Sequence, residues 1–203
     1  MITFLGPLLL FNPLFTSALQ MRHGVAAELG ASQEQVELVT ASYLADIYLD
    51  GAFEASLDGG APLLDADERS HMTDVSGLVR LLAAILVIAL IVAGVTGASL
   101  RHEPQRQGRI MLLAAGAVGT IAVILAIVFA VAFEPAFLAF HELFFPPGTY
   151  LFETGSELIV LFPEPFWFDA ALLAGAAIVV VAILVSLVGW WRWRSGRTPL
   201  RAT

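Results

Sequence analysis

The sequence predicts an all-α membrane protein with four transmembrane helices and two outer loops that form a small, partly helical subdomain. Three observations predict this class. Of the 203 residues, 58% are apolar and only 14% are charged, whereas a soluble domain is about half apolar and a quarter charged. Long apolar segments lack charges, and the basic residues gather in two short stretches. The mean hydropathy of +0.82 agrees with the bilayer as the solvent.

Four apolar segments are predicted to cross the membrane, because about 20 helical residues span the hydrocarbon core. These spans are approximately residues 1–16, 78–100, 110–133 and 169–191 of a single membrane domain, 1–203. Away from their ends, the last three contain no charged residue. The first is short, and its apolar run contains Asn12 and Pro13. A signal peptide is the alternative for this run, although no basic residue precedes its apolar part.

The arginines predict the orientation of the chain. All ten basic residues are arginine, and seven of them lie in the inner loop 101–109 or the tail 192–203, where Glu103 is the one acidic residue. Cytoplasmic loops retain basic residues, so both termini are expected in the cytoplasm. The outer loops 17–77 and 134–168 then carry nearly all of the negative charge.

Composition also excludes several classes of function. Nucleic-acid binding requires a basic surface, and the formal net charge is −8. The absence of cysteine removes thiolate zinc sites and a cysteine nucleophile. Neither a G-x-S-x-G nor an H-E-x-x-H motif is present.

The first outer loop is too regular to be a tether. A helix is predicted from Ser32, which forms a capping box with Gln35, to a stop at Gly51. Its apolar residues recur at spacings of three and four, which gives one buried face. They are Val36, Val39, Tyr43 and Ile47. A turn follows at 58–62. A second helix begins at Asp65, whose side chain is predicted to cap it together with Glu68 three positions on, and this helix is expected to continue unbroken into the second span.

His71 is the first of two histidines in notable positions. It precedes the second span by about seven residues, which places it on the order of 10 Å above the hydrocarbon edge. Asp67 and Asp74 share its helix face. A carboxylate beside an imidazole fixes its tautomer and raises its basicity, as a general base requires. The alternative is a solvated polar turn on an exposed helix.

His141 is the second, in the stretch EPAFLAFHELFFPPG. Pro135 suits the first turn of a helix, on which Phe137, Phe140 and Phe144 share a stripe with His141. The alternative is a capping or interface histidine with a backbone partner. Both histidines lie on the outer side, at a depth where they could reach a lipid ester.

Other polar residues give weaker predictions. The possible ligands of a metal site are divided between the two outer loops, so they are only a weak indication of such a site. The candidates are His71, His141, Asp74 and Glu142. His23 and His102 are expected to be solvated. Arg80, at the start of a span, is expected to contact lipid phosphate or to snorkel.

Several stretches resemble a known family. They are DERSHMTDV at 67–75, FHELFFPPGTYLF at 140–152 and LFPEPFWFDA at 161–170, together with FNPLF at the end of the first span. They look like the signature stretches of the lipoprotein intramolecular transacylase (Lit) family of Gram-positive bacterial membrane proteins. The resemblance covers nearly the whole chain and includes four spans with the same topology.

The resemblance implies an acyl transfer in the bacterial cell membrane. The sn-2 acyl chain of a diacylglyceryl-cysteine lipoprotein moves to its own α-amine and leaves a lyso-form lipoprotein. His141 would be the base, and His71 the acid or oxyanion partner oriented by Asp74; the reverse assignment stays open. Asp67 and Glu142 would support them. The expected substrate-binding residues are Arg80, Phe140, Phe144 and Tyr150.

The expected partners are diacylated lipoproteins and membrane lipids, with no metal, cofactor or nucleic acid. The sequence leaves the oligomeric state open. Two other functions also stay open: a non-catalytic scaffold or receptor for lipid-anchored proteins, and an acyl-transfer or lipid-hydrolysing enzyme that acts on another lipid.

Overall fold

The computed structural model describes residues 12–195, and the regular structure in that range is entirely helical. In chain order the helices are α1 (Pro13–Arg22), α2 (Val25–Glu28), α3 (Gln33–Leu49), α4 (Ala66–Ser99), α5 (Pro104–Val131), α6 (Phe133–Phe144), α7 (Glu157–Leu161) and α8 (Glu164–Ser195). Three of them, α4, α5 and α8, are long and apolar enough to cross a membrane. They coincide with the last three predicted spans.

The first predicted span, 1–16, lies almost wholly outside the described residues. Its last residues form the start of α1, which continues to Arg22. The side chain of Asn12 accepts hydrogen bonds from the backbone of Leu14 and Phe15, and Pro13 occupies the first helical position. Both features are typical of a helix start, which explains why these two residues interrupt the apolar run.

The predicted helix of the first outer loop is confirmed as α3. Ser32 and Gln35 form the expected capping box, and the predicted apolar face is buried. The helix ends one residue earlier than predicted, because Asp50 rather than Gly51 adopts the left-handed conformation, with φ 60°. Aspartate tolerates this conformation better than most residues that carry a β-carbon.

The helix α4 is confirmed as one uninterrupted rod of 34 residues, about 50 Å long. Asp65 and Glu68 form the predicted capping box at its start. No break separates the polar turns 66–77 from the apolar residues that follow. Any side chain on the polar turns is therefore fixed relative to the span.

The polar end of the molecule forms a packed unit, which we call the head and define as residues 13–77 and 133–163. Within it, α3 packs against α1 and α4. Fully buried members of its core include Val25, Val36, Tyr43, Phe53, Leu64 and Leu161. Burying a large apolar side chain contributes about 1.5–3 kcal/mol, so this core holds the polar turns of α4 against α3.

In the apolar half, α5 and α8 form an extensive antiparallel pair, whereas α4 has its main contacts with α3 in the head. Small residues let the backbones of α5 and α8 approach closely. A β-carbon added at Gly108 would collide with the carbonyl oxygen of Gly189. Many large apolar side chains of α4, α5 and α8 are exposed, as lipid-facing surfaces require. The head thus joins α4 to the α5–α8 pair.

Candidate active site

His71 lies on the second turn of α4 and points into the head. Its side chain is only 6% exposed, and its Nδ1 atom is buried without a hydrogen-bond partner among the described residues. Aromatic rings surround it, with centroids 4.9 Å away for Phe145 and 5.6 Å away for Phe152. Packing, rather than a hydrogen bond to Nδ1, therefore orients this ring.

His141 lies in the last turn of α6, and its ring stacks on that of His71 with a centroid distance of 6.0 Å. Its Nδ1 atom is 2.8 Å from the carbonyl oxygen of Phe137. A carbonyl oxygen can only accept, so Nδ1 carries the proton and the neutral ring keeps a free lone pair on Nε2. Tyr150 packs against the same ring at 5.4 Å. His141 is therefore held in the tautomer in which Nε2 carries the basic lone pair.

Burial favours the neutral form of both histidines. Both lie outside the membrane-spanning residues, His71 on the polar turns of α4 and His141 on α6. Burial, together with a smaller contribution from charge repulsion by the neighbouring His141, lowers the pKa of His71 to about 4. Burial also lowers the pKa of His141, although the hydrogen bond to the Phe137 carbonyl acts in the opposite direction. Both rings are consequently neutral at pH 7.

The two histidines share one apolar cavity of about 520 Å³, a size typical of small-molecule sites. It extends from the head to the upper part of the membrane helices. Its wall includes Tyr43, Phe152, Leu82, Phe129, Phe133 and Trp167, and the carboxylates of Glu134 and Glu164 also line it. The arrangement places a base and a hydrogen-bond donor beside a space that suits an acyl chain.

Comparison with known proteins identifies the family. A model of the family described as "Lipoprotein intramolecular transacylase Lit" matches residues 3–167. The chain belongs to the Lit family. It is accordingly a membrane protein of an acyltransferase family, and the resemblance predicted from its histidine-containing stretches is confirmed. No curated protein sequence matches it significantly.

Solved structures of the membrane-integral lipoprotein intramolecular transacylase Lit from Bacillus cereus share this fold. One superimposes with a TM-score of 0.85 at 15% identity and covers 97% of this chain and 90% of that one. Two others carry a replacement of one histidine, by arginine or by alanine. They give TM-scores of 0.78 and 0.70 at 14% and 15% identity, with 97% of this chain and 86% and 92% of theirs covered. The all-helical Lit fold is thus confirmed.

The carboxylates predicted to support the histidines do not reach the rings in this Lit protein. Asp67 and Glu142 are exposed, Asp74 is half-exposed, and none of the three lines the cavity or hydrogen-bonds to a histidine within residues 12–195. The ring of His71 turns inward, whereas Asp67 and Asp74 lie on the more exposed flank of α4, and Glu142 lies on the exposed side of α6. Among residues 12–195 no hydrogen bond joins Asp74 to His71, so the orienting role predicted for Asp74 has no direct contact behind it here. No group of three or more possible metal ligands occurs among the described residues.

The four predicted substrate-binding residues separate into two pairs. Phe140 and Tyr150 line the cavity beside His141. Phe144 packs against Phe140 but is exposed outside the cavity wall. Arg80 also lies outside it, where its Nη1 atom is 2.6 Å from the carboxylate of Asp50. It joins α4 to the end of α3 through an exposed ion pair.

His23 is not solvated as predicted. Its Nε2 atom is 2.9 Å from Oδ2 of Asp169, and Nε of Arg22 is 3.3 Å from the same oxygen. These contacts tie the end of α1 to the start of α8. Because the partners are far apart in the chain, helical spacing gave no signal of this cluster. His102 remains on the surface, where it hydrogen-bonds with Arg101 at 2.8 Å.

Glu68 is the polar residue beside the site that sequence reasoning did not single out beyond its capping role. Its side chain is 2% exposed. One carboxylate oxygen accepts hydrogen bonds from the hydroxyl of Ser156 and from the backbone of Leu158, while the other completes the cap at Asp65. The capping box was visible in the sequence, but the contacts across about 90 residues were not.

Proposed function

We propose that this protein moves the sn-2 acyl chain of a diacylglyceryl-cysteine lipoprotein to the α-amine of the same molecule. The observation that carries this proposal is the pair of neutral histidine rings, 6.0 Å apart, on one apolar cavity. Membership of the Lit family supports acyl transfer on a lipoprotein. Since donor and acceptor belong to one molecule, holding them together supplies much of the rate.

His141 acts as the base in the proposed reaction. The substrate α-ammonium, with an ordinary pKa of about 7.7, first loses a proton to the surrounding water. The neutral amine attacks the ester carbonyl, and Nε2 of His141 takes a proton from the attacking nitrogen. The free lone pair on Nε2, which follows from the Nδ1 contact with Phe137, supports this assignment.

The collapse of the tetrahedral intermediate completes the transfer. The bond between the carbonyl carbon and the sn-2 oxygen breaks as the new amide forms, and His141 returns its proton to the departing glycerol oxygen. One N–H proton therefore ends on the glycerol hydroxyl, so atoms and charge balance. The products are an N-acyl chain and a free sn-2 hydroxyl on the same lipoprotein.

His71 stabilises the negative oxygen of the intermediate. A neutral imidazole with a pKa of about 4 is a poor base but still carries one N–H that can donate. A neutral histidine in a desolvated site is a known electrophilic partner for a developing oxyanion. In this assignment Asp74 has no orienting role, because the aromatic rings around His71 hold it instead.

The acyl chain lies along the cavity wall that includes Phe140 and Tyr150. The cavity reaches the upper part of the membrane helices, which suits a substrate anchored in the same leaflet. We place the head and the outer loops 17–77 and 134–168 outside the cell, with the arginine-rich inner loop 101–109 and both termini in the cytoplasm. The positive-inside rule supports this orientation.

The test uses a bacterial host that makes only diacylglyceryl lipoproteins. The chain is expressed there, and the N-terminal lipopeptide is fragmented by mass spectrometry to locate each acyl chain. We expect an N-acyl chain and a free sn-2 hydroxyl with the wild-type protein. His71→Ala and His141→Ala should lose the conversion, whereas His102→Ala, a surface histidine at the opposite end, should keep it.

The alternatives predict different products. An unchanged lipopeptide in the presence of correctly inserted wild-type protein would contradict transacylation and favour a scaffold or receptor. Release of free fatty acid or lysophospholipid without an N-acyl product would instead indicate an enzyme acting on another lipid. Conversion that survives both histidine substitutions would refute the histidine mechanism while leaving the activity intact.

A further inference from the structure

The geometry points to Glu68 as a positioning residue that holds the wall of the histidine pair in place. This inference rests on the proposed function. The carboxylate is buried one helical turn before His71 and accepts three hydrogen bonds, from the hydroxyl of Ser156 and the backbone of Leu158 and Asp65. A buried carboxylate with three donors is fully satisfied and costly to disturb.

The carboxylate of Glu68 lies at one end of the segment whose aromatic side chains pack against His71. Residues 145–156 run from the end of α6 to the start of α7 and supply Phe145 and Phe152, the two rings that pack on His71. The segment is joined to His141 at its first end, because Phe145 caps α6. Glu68 holds its second end. The carboxylate on α4 therefore fixes the second end of the segment relative to His71, which lies one turn further along the same helix.

The absence of a partner for Nδ1 of His71 makes this anchor important. No hydrogen bond to that atom sets the ring angle within residues 12–195, so the packing of Phe145 and Phe152 does. If the segment shifts, the imidazole gains freedom to rotate and its donor moves away from the oxyanion. A displacement of about 1 Å can reduce a catalysed rate by about 100-fold. Glu68 thus acts through His71 without touching the substrate.

Glu68→Gln and Ser156→Ala test the anchor from its two sides. The glutamine amide presents N–H groups where the carboxylate accepted, so it loses part of the network with almost no change in volume. Ser156→Ala removes one donor, whereas Ser156→Thr keeps a hydroxyl and should rescue. Ser32→Ala is the matched control, because it removes a capping side chain from α3 in the same head, away from residues 145–158.

Two measurements are made on detergent-purified full-length protein. The first is transacylation of a synthetic diacylglyceryl-cysteine lipopeptide, in which Glu68→Gln and Ser156→Ala should lower kcat by about 10- to 100-fold with KM unchanged. The second is the rate at which diethyl pyrocarbonate modifies His71, followed by peptide mass spectrometry. This rate should rise in both variants, because the ring is shielded in the wild type. Ser156→Thr and Ser32→Ala should match the wild type in both.

Wild-type kcat and wild-type labelling in Ser156→Ala would overturn the anchor, even if Glu68→Gln failed to fold. An equal loss of kcat in Ser32→Ala would also overturn it, since general loosening of the head would then explain the result. If the wild-type protein forms no N-acyl product, the proposed function fails. The labelling rate still decides whether Glu68 positions His71, so the two failures are distinguishable.

Discussion

Acid should destabilise this protein through His71, and the size of the effect follows from its burial. The folded-state pKa of about 4 lies below the ordinary value of 6.5. Between these pH values His71 is protonated in the unfolded chain but not in the folded protein, so the free energy of unfolding decreases as the pH falls. The contribution is fully present above pH 6.5 and is lost as the pH approaches 4. A pKa difference of about 2.5 corresponds to about 3 kcal/mol.

The assay compares the wild type with His71→Gln, which cannot titrate in this range. The free energy of unfolding is measured in mixed micelles at intervals from pH 7.5 to pH 4, with the tryptophan fluorescence as the signal. The wild type should lose up to about 3 kcal/mol more than the variant over this interval. His141→Gln is a second comparison, because burial lowers the pKa of that ring in the same direction.

The difference between wild type and variant is the decisive quantity, since it cancels the titration of all other groups. Parallel stability curves for the wild type and His71→Gln would refute the reasoning. They would mean that the imidazole is hydrated or protonated in the folded protein, and the neutral-donor role proposed for it would lose its basis.

Three further predictions concern packing and polar contacts. Gly108→Ala should lower the free energy of unfolding by about 2 kcal/mol or more, because the new methyl group meets the backbone of α8. Gly116→Ala, on the same helix but in open space, should be neutral. Equal melting temperatures for the two variants would contradict this reasoning. Asp169→Asn should cost about 1 kcal/mol by weakening its contact with His23, and calorimetry that detects no loss would remove the cluster as a stabilising tie. Arg80→Gln should leave the rate of N-acyl formation unchanged in the lipopeptide assay, because its ion pair with Asp50 lies outside the cavity. A large loss of rate would indicate that the substrate contacts Arg80.

Local signals made the helices predictable from the sequence. The capping boxes at Ser32 and Asp65 are contained within four residues each, and both are present. The three described spans follow from uninterrupted apolar runs whose insertion is favourable wherever they occur. Such features depend on neighbours in the chain, so no knowledge of the tertiary structure was needed.

The polar contacts of the site were not predictable in the same way. Helical spacing placed Asp74 on the face of His71, but spacing does not say which flank meets solvent and which meets the aromatic wall. The cap formed by Glu68 was visible, whereas its hydrogen bonds to Ser156 and Leu158 depend on the path of a distant loop. His23 was expected in water because its partner belongs to the last helix.

The unbroken form of α4 has a consequence for the lipid environment. His71 and the second span belong to one rod, so the height of this imidazole follows the depth at which the rod settles in the bilayer. His141 is not tied in the same way, because the chain departs from helical geometry at Ala132, between α5 and α6. A thicker or thinner hydrocarbon layer changes the tilt and depth of a span at modest cost. We therefore expect the rate of N-acyl formation to depend on the acyl-chain length of the surrounding lipid.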